Sequence, residues 1–531
     1  MTGRFGPVLW LVSGVMAGLA AAGALAVGVM EVVRGDAPTA AMAAPEFQSE
    51  SGVIQHVYDG DFQFFVGGGV AVLDCDGNDL PDLFLAGGEN PSGLYRNTGR
   101  PGGTLSFAVA GDSAATMTGV TGAYPLDVDS DGITDLAVLR VGGNVILRGV
   151  GDCGFEAANE RWGIEGGNDW TVSFSATWEP GESWPTMVFG NYLDLDRRPE
   201  QTETCDDHHL LRPVGKGYGA PLTLRPGYCT LSVLFSDWDR SGRRDLRMTN
   251  DRHYYRDGTE QLWRMAPDDP PRPYGVADGW REMQIWGMGI ASQELTGDGR
   301  PEIYLTSQGD NKLQTLADDS GRPTYEDIAL PRGASAHRPF VGDNTRPSTA
   351  WHAEFDDLNN DGFMDLFVTK GNVEAMPEFA SQDPNNLLLG QPGGTFVEAA
   401  DAAGLIDVAR SRGGAVADLN LDGLLDVVVV DRRENVKLWR QTGAAGNWLS
   451  IELDQPGANR DAVGAWIRLR LGNHLIEREL TVGGGHAGGD SGSLHFGLGH
   501  ATAADVQVVW PDGEVGDWRT LPANQHVTLT R

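Results

Sequence analysis

Six segments of this chain repeat one nine-residue pattern, D-x-[DN]-x-[DN]-G-x-x-D, and that repetition limits the fold more than any other feature. They run Asp74–Asp82, Asp127–Asp135, Asp237–Asp245, Glu294–Glu302, Asp357–Asp365 and Asp418–Asp426. A seventh, degenerate copy begins Asp194-Leu195-Asp196 in the widest gap, with Arg197 and Arg198 inside it, and is expected to be metal-free. Counting it, successive copies start between 43 residues (Asp194 to Asp237) and 67 residues (Asp127 to Asp194) apart. That interval is the size of a propeller blade. After each loop come short β-type runs, such as Asp82–Gly87 and Gly93–Asn97, or Asp365–Lys370 and Asn386–Gly390. An aromatic start and a Gly-hydrophobic end follow, as in Phe155 to Gly163-Ile164 and Phe396 to Gly404-Leu405. Short runs broken by Gly, Asn and Asp make helices a poor reading. About four strands per unit, seven times over, predicts an all-β, seven-bladed β-propeller followed by a small C-terminal β-domain. Phe47–Val53 reads as the last strand of a unit yet precedes the first loop, and the unit after Trp439 lacks such a strand. The two ends are therefore expected to share the seventh blade, leaving no open edge.

Within each loop the oxygen-bearing residues stand at positions 1, 3, 5 and 9. They are Asp74, Asp76, Asn78 and Asp82; Asp127, Asp129, Asp131 and Asp135; Asp237, Asp239, Ser241 and Asp245. The other three sets are Glu294, Thr296, Asp298 and Glu302; Asp357, Asn359, Asp361 and Asp365; Asp418, Asn420, Asp422 and Asp426. Oxygen ligands alone suit a hard cation, and Ca2+ tolerates irregular six- to eight-fold coordination. Glycine at position 6 permits a sharp turn; the first loop has Asp79 there. An EF-hand would need Glu at position 12 and flanking helices, neither of which this pattern offers. A metal-free Asp/Gly turn explains any one copy, but not six. Four to six calcium ions are expected, with the loops at 127, 357 and 418 complete and those at 237 and 294 weaker.

These loops and their flanking runs resemble the FG-GAP/VCBS repeats of integrin α-chains and many exported bacterial proteins, over residues 47–441. The resemblance implies calcium bound by the loop carboxylates. From Asn447 the pattern changes. Asn459-Arg460-Asp461-Ala462-Val463-Gly464-Ala465, Leu494-His495-Phe496-Gly497-Leu498-Gly499 and Trp510-Pro511-Asp512-Gly513 together resemble the ASPIC/UnbV domain of the cartilage acidic protein-like family. That family usually has an aromatic residue and a Ser after the Gly run, where this chain has Gly485-His486-Ala487-Gly488. The domains expected are therefore 1–46, 47–441 and 442–531.

Val8–Met30 carries no charge and is long enough to cross a bilayer once. A retained anchor is preferred over a signal cleaved near Ala41-Met42-Ala43, and residues 31–46 read as a linker; either way the rest is exported. Of the four cysteines, Cys205 and Cys229 flank a Gly/Pro-rich stretch and suit a loop staple, leaving Cys75 and Cys153 to pair by elimination.

The chain has 74 acidic and 40 basic residues, for a net charge of −34, which argues against nucleic acid. Twenty of those acids lie in the six loops, and six calcium ions would bring the charge to −22 (−34 + 12). Neither G-x-S-x-G nor H-E-x-x-H occurs. His208-His209 beside Cys205 reads as a polar loop rather than a transition-metal site. Trp162, Trp170, Trp178 and Trp184 read as outer-strand packing rather than a sugar platform. His495 reads as a packed residue, and Arg460-Asp461 as a structural ion pair. The expected role is a non-enzymatic binding or adhesion module for an extracellular protein or polysaccharide. The competing reading is an enzyme on polysaccharide, or a biosynthetic tailoring protein, which would need a cluster of acid, base and Arg outside the loops.

Overall fold

The computed structural model describes residues 38, 41–111, 114–195, 204–251, 257–267, 269–335 and 346–531. The apolar run 8–30, most of the linker, and Asp196 to Arg198 lie outside the described residues. Among the described residues, no helix is long and apolar enough to cross a membrane.

The described chain is all-β, built from successive antiparallel units in which each strand pairs with the next. The first strands of these units are Val70–Leu73, Val120–Leu126, Asp169–Thr177, Thr230–Ser236, Gly287–Gln293, Ala350–Asp356 and Ser411–Ala417. Nearly every residue in them is buried, so they read as continuous small and apolar runs rather than as alternating ones. Neighbouring first strands are tied by hydrogen bonds. Gly68 N–H donates to Thr121 O at 2.8 Å, Thr121 Oγ1 to Thr171 O at 2.6 Å, and Phe235 N–H to Ser175 Oγ at 2.9 Å. Arg247 of the fourth unit reaches Gln314 of the fifth. Thr306 Oγ1 then donates to Trp351 O at 2.5 Å, Thr369 Oγ1 to Arg412 O, and Gly413 N–H back to Gly68 O at 3.2 Å. Glu46–Ser49 pairs antiparallel with Lys437–Gly443, so a strand from the start of the described chain completes the last sheet.

The third unit departs from the sequence reading. Its first two strands, Asp169–Thr177 and Thr186–Asn191, are joined by residues 178–185, which contain no loop pattern. Asp194 follows the second strand instead of preceding it, so the degenerate copy does not occupy a loop position. The Asp-x-Asp spelling there is a chance match, and the true joint starts at Trp178. His208 is likewise not in a solvated loop. It lies buried in strand His208–Leu211, accepting from Asn191 N–H at 3.2 Å through Nδ1. Trp162, Trp170, Trp178 and Trp184 are all under 8% exposed, so no stacking platform exists. Only part of that group packs on outer elements: Trp170 and Trp178 sit at the two ends of the first strand. Disulfides join Cys205 to Cys229 and Cys75 to Cys153.

The C-terminal residues form two further sheets. One orders Leu494–Gly499, Asn447–Asp454 and Gln525–Thr530; the other orders His474–Glu479, Trp466–Leu471, Ala503–Val509 and Arg519–Pro522. Leu449, Ile451, Ile467, Leu469, Phe496 and Val506 fill the space between them. Between Glu479 and Leu494 the chain leaves these sheets and runs between the first strands. There Ser175 Oγ donates to Val482 O (2.6 Å), Gly484 N–H to Val233 O (2.8 Å), Gly485 N–H to Ile290 O (2.7 Å) and Ala123 N–H to Ala487 O (3.1 Å). His486 N–H donates to His352 Nδ1 at 3.2 Å, and Gly489-Asp490 pairs in parallel with Ala71-Val72. Six of the seven first strands thus hydrogen-bond one glycine-rich segment.

That insertion explains two glycines. A Cβ on Gly69 or on Gly122 would stand 1.8 Å from the Ala487 carbonyl oxygen, which is backbone and cannot swing aside. Gly122→Ala should therefore lower stability by about 3 kcal/mol, read as a fall in Tm. Gly111→Ala, where a Cβ meets nothing within 4 Å, should change it by less than about 0.5 kcal/mol.

Candidate metal loops and the surface that covers them

All six loops join a first strand to a second strand and share one backbone course. Position 6 has positive φ throughout: 70° at Asp79, 84° at Gly132, 82° at Gly242, 81° at Gly299, 90° at Gly362 and 81° at Gly423. Position 4 does too, and there the residue is mostly not glycine: Ser130 (59°), Arg240 (59°), Asn360 (58°) and Leu421 (52°). Such conformations disfavour side chains with a Cβ, so something in each loop holds them.

The carboxylate at position 1 is one such hold. Asp127 accepts from the N–H groups of Asp131 (3.1 Å) and Gly132 (2.8 Å). Asp357 accepts from Asp361 (2.9 Å) and Gly362 (2.7 Å), and Asp418 from Asp422 (3.0 Å) and Gly423 (2.7 Å). The carboxylate at position 9 is another. Asp135 accepts from Val128 N–H at the loop entry and from Gly149 N–H on the third strand, both at 2.8 Å. Asp82, Asp365 and Asp426 repeat this two-sided bond, to Cys75 and Asn97, Leu358 and Gly390, and Leu419 and Gln441. Position 5 closes a short turn onto position 7, as Asp361 Oδ1 does with Phe363 N–H at 2.9 Å.

Position 3 is different. Oδ1 of Asp76, of Asp129 and of Asn420 is buried and has no hydrogen-bond partner. Together with positions 1 and 9 these residues make tight clusters: the carboxylates of Asp74, Asp76 and Asp82 lie within 4.8 Å of one another, as do those of Asp127, Asp129 and Asp135. Asp131 at position 5 is outside its cluster. A third group, Cys75, Asp82 and Cys153, is no thiolate site because the sulfurs are bonded to each other. Burial, then the neighbouring carboxylates, push Asp135 up to about 8. Burial pushes Asp82 and Asp127 up to about 6, and holds Asp357, Asp365 and Asp426 well above the usual carboxylate range. An anion in such a site gains a proton or a cation. The donor set, all oxygen with an orphaned acceptor at its centre, fits a hard divalent ion.

Four loops carry a built-in counter-charge that the sequence reading overlooked. Arg148 pairs with Asp129 at 3.0 Å and with Asp131; Arg96 pairs with Asp76 at 3.3 Å. Arg243 pairs with Asp245 at 2.8 Å, and Arg300 with Asp298 at 3.0 Å. Among the described residues, neither Lys nor Arg pairs with the ligand carboxylates of loops 357–365 and 418–426. Those two loops are therefore the ones whose buried carboxylates have neither a lysine nor an arginine beside them, although His526 Nε2 lies 3.4 Å from Asp418. Arg96, Arg148 and Arg440 occupy equivalent places on their third strands, so the signal is present in the repeat.

The C-terminal sheets contact the loops directly. Asn459 N–H donates to Ser130 Oγ at 3.0 Å, and Asp237 N–H donates to Glu479 at 3.1 Å. The Arg240 guanidinium lies 3.6 Å from the centre of the Trp466 ring. Gly499 N–H donates to Asn360 O at 2.9 Å, and His495 Nε2 meets Asn360 Oδ1 at 2.6 Å. Arg460 pairs with Asp454 at 3.3 Å rather than with Asp461.

An acid–base cluster also lies outside the loops. His352 Nε2 meets Glu354 Oε2 at 3.2 Å, and Arg478 holds Asp356 at 2.8 Å. They line a cavity of about 120 Å³ beside the inserted segment, with Asp490. Burial lowers His352 to about 4 and raises Glu354 to about 8.

The family model for ASPIC and UnbV matches residues 455–531, and the model for the FG-GAP-like repeat matches 74–138 and 357–429. Cartilage acidic protein 1 of Mus musculus is 26% identical over 241 residues, covering 43% of this chain and 34% of that protein. The Homo sapiens protein of that name is 26% identical over 241 residues, covering 43% and 33%. The chain thus spans about a third of the length of these curated relatives. Among solved structures, BBS1N in complex with ARL6DN aligns at a TM-score of 0.42 with 8% identity, covering 75% of this chain and 98% of that one. A Trypanosoma rangeli sialidase aligns at 0.35 with 10% identity, covering 70% and 59%.

The hydrogen bonds separate two roles that the sequence pattern merges. In chelator, Asp365→Ala should cost about 2–5 kcal/mol, because it strands two buried amides. In the same buffer Asp129→Ala should cost less than about 1 kcal/mol, since it removes an unpaired oxygen and a partly exposed ion pair. Chemical denaturation of both variants in chelator checks this.

Proposed function

For a chain that carries FG-GAP-like repeats and an ASPIC and UnbV domain, we propose an exported, calcium-binding module. In this reading residues 47–441 form a closed seven-bladed β-propeller and 442–531 a β-domain seated on its loop face. The observation that carries the calcium is the buried cluster at positions 1, 3 and 9, with the position-3 oxygen left without a donor. Positions 1 and 9 already have fixed orientations through backbone amides, so a Ca2+ ion would meet a pre-arranged oxygen set. What it supplies is positive charge at the centre of a turn whose backbone is twice left-handed.

The role that follows is binding or adhesion to an extracellular protein or polysaccharide. It is supported by two disulfides, which belong to oxidising compartments. A propeller of this kind would hold its remaining loops on a fixed frame while leaving them free to vary. The enzyme reading has one observation in its favour, the His352–Glu354 pair beside Arg478. The cavity there, about 120 Å³, is smaller than the 300–1,000 Å³ of ordinary ligand sites.

Two measurements test this. Calcium should raise the Tm of chelator-stripped protein by several degrees, and Asp361→Ala should lose more of that gain than Ser241→Ala. An unchanged Tm removes calcium from the account. A glycan array and an extracellular-protein pull-down with the full chain should give calcium-dependent partners. Turnover of a captured glycan, abolished by Glu354→Gln, would favour the enzyme instead.

A further inference from the structure

A cleft of about 680 Å³ lies between the C-terminal sheets and the loops of the first, second and seventh units. Its lining includes eight carboxylate residues and neither a lysine nor an arginine. Arg478 reaches Asp356 from behind the wall and neutralises that one. Asp74, Asp76 and Asp418 belong to the metal loops. The remaining acids, Asp79, Glu452, Asp461 and Asp490, have no lysine or arginine within ion-pair distance among the described residues.

A second observation fixes what kind of ligand the cleft would take. His495 lines it and is 3% exposed. Asn360 Nδ2 donates to Gly423 O at 2.9 Å, so the Asn360 oxygen is the atom that faces His495. The His495 Nε2–H therefore donates to it, at 2.6 Å. That leaves Nδ1 as a bare acceptor, and it has no partner. Burial also keeps this imidazole neutral, with its pKa lowered to about 4. The cleft thus presents carboxylate oxygens and an imidazole lone pair, and its ligand must bring donors and positive charge. Outside the loops, no three acidic or histidine groups among the described residues converge on one metal ion. The charge is spread along a space large enough for a small organic molecule.

We propose that this cleft binds an organic cation bearing several amino groups, with Asp461 and Asp490 as counter-ions and His495 Nδ1 accepting one N–H. The cleft shares a wall with the loops at 74–82 and 418–426, so it is to be tested with them full.

The probe is spermidine, titrated calorimetrically into the full chain in saturating calcium. One-to-one binding is expected. It should weaken at least tenfold in Asp461→Asn/Asp490→Asn, weaken in Glu452→Gln at the rim, and stay unchanged in the remote surface variant Asp401→Asn. Triethylene glycol, of similar length and without charge, should not bind. Absence of spermidine heat overturns the proposal, as does equal affinity in the double variant and the parent. Release of calcium to an indicator dye in step with spermidine also overturns it, because the amine would then be occupying the loops. The calcium-induced rise in Tm, read on the same samples, reports the loops separately. If the double variant does not fold, the Glu452→Gln comparison decides.

Discussion

Each position-9 carboxylate is buried, and at Asp82, Asp135, Asp365 and Asp426 one oxygen accepts a loop amide while the other accepts an amide of the third strand; at Asp245 the Trp238 indole N–H replaces the loop amide, and at Glu302 the Thr315 hydroxyl replaces the third-strand amide. That single group sets the loop and aligns three strands of its unit. Its desolvation is the main cost in the unit, and the position-1 and position-3 oxygens beside it add to that cost. The backbone amides offset part of it. The rest calls for positive charge, and the units meet this differently. Arg96, Arg148, Arg243 and Arg300 supply it in four units. Loops 357–365 and 418–426 contain no such side chain, so there a bound cation is what would offset the buried carboxylates.

A second constraint comes from the glycine-rich segment between the first strands. Gly69 and Gly122 are small because the Ala487 carbonyl touches their Cα atoms, and the segment 482–490 is glycine-rich because inner strands crowd it from several sides. The first strands and the C-terminal sheets therefore share buried hydrogen bonds and are expected to unfold together. The cover also places Trp466, His495 and Asn459 directly on the loops, so a change in loop geometry reaches the C-terminal sheets through one contact.

Much of this was legible in the sequence. The nine-residue loop pattern, recurring every 43 to 67 residues, marks the strand units, and Phe47–Val53 is recognisable as a displaced last strand because the final unit lacks one. The third unit was misread because Asp194-Leu195-Asp196 matches the pattern in spelling; only strand pairing reveals that Trp178–Pro185 is the joint. The pattern also could not divide roles among acidic positions. Asp135 and Asp129 look alike in a string, yet one is saturated by amides and the other is not. His208 and the four tryptophans were hidden for a related reason: burial depends on neighbours distant in sequence. The inserted segment had a sequence signature, the run Gly483-Gly484-Gly485, but a run of glycines does not say what it will approach.

The central claim is that a cation completes the loops whose buried carboxylates have no arginine. Anomalous diffraction from crystals of the full chain soaked in terbium chloride, a calcium mimic, tests it most directly. The account predicts peaks about 2.3–2.6 Å from the oxygens of Asp357, Asn359 and Asp365 and of Asp418, Asn420 and Asp426. Well-ordered loops at 357–365 and 418–426 without a peak would contradict it.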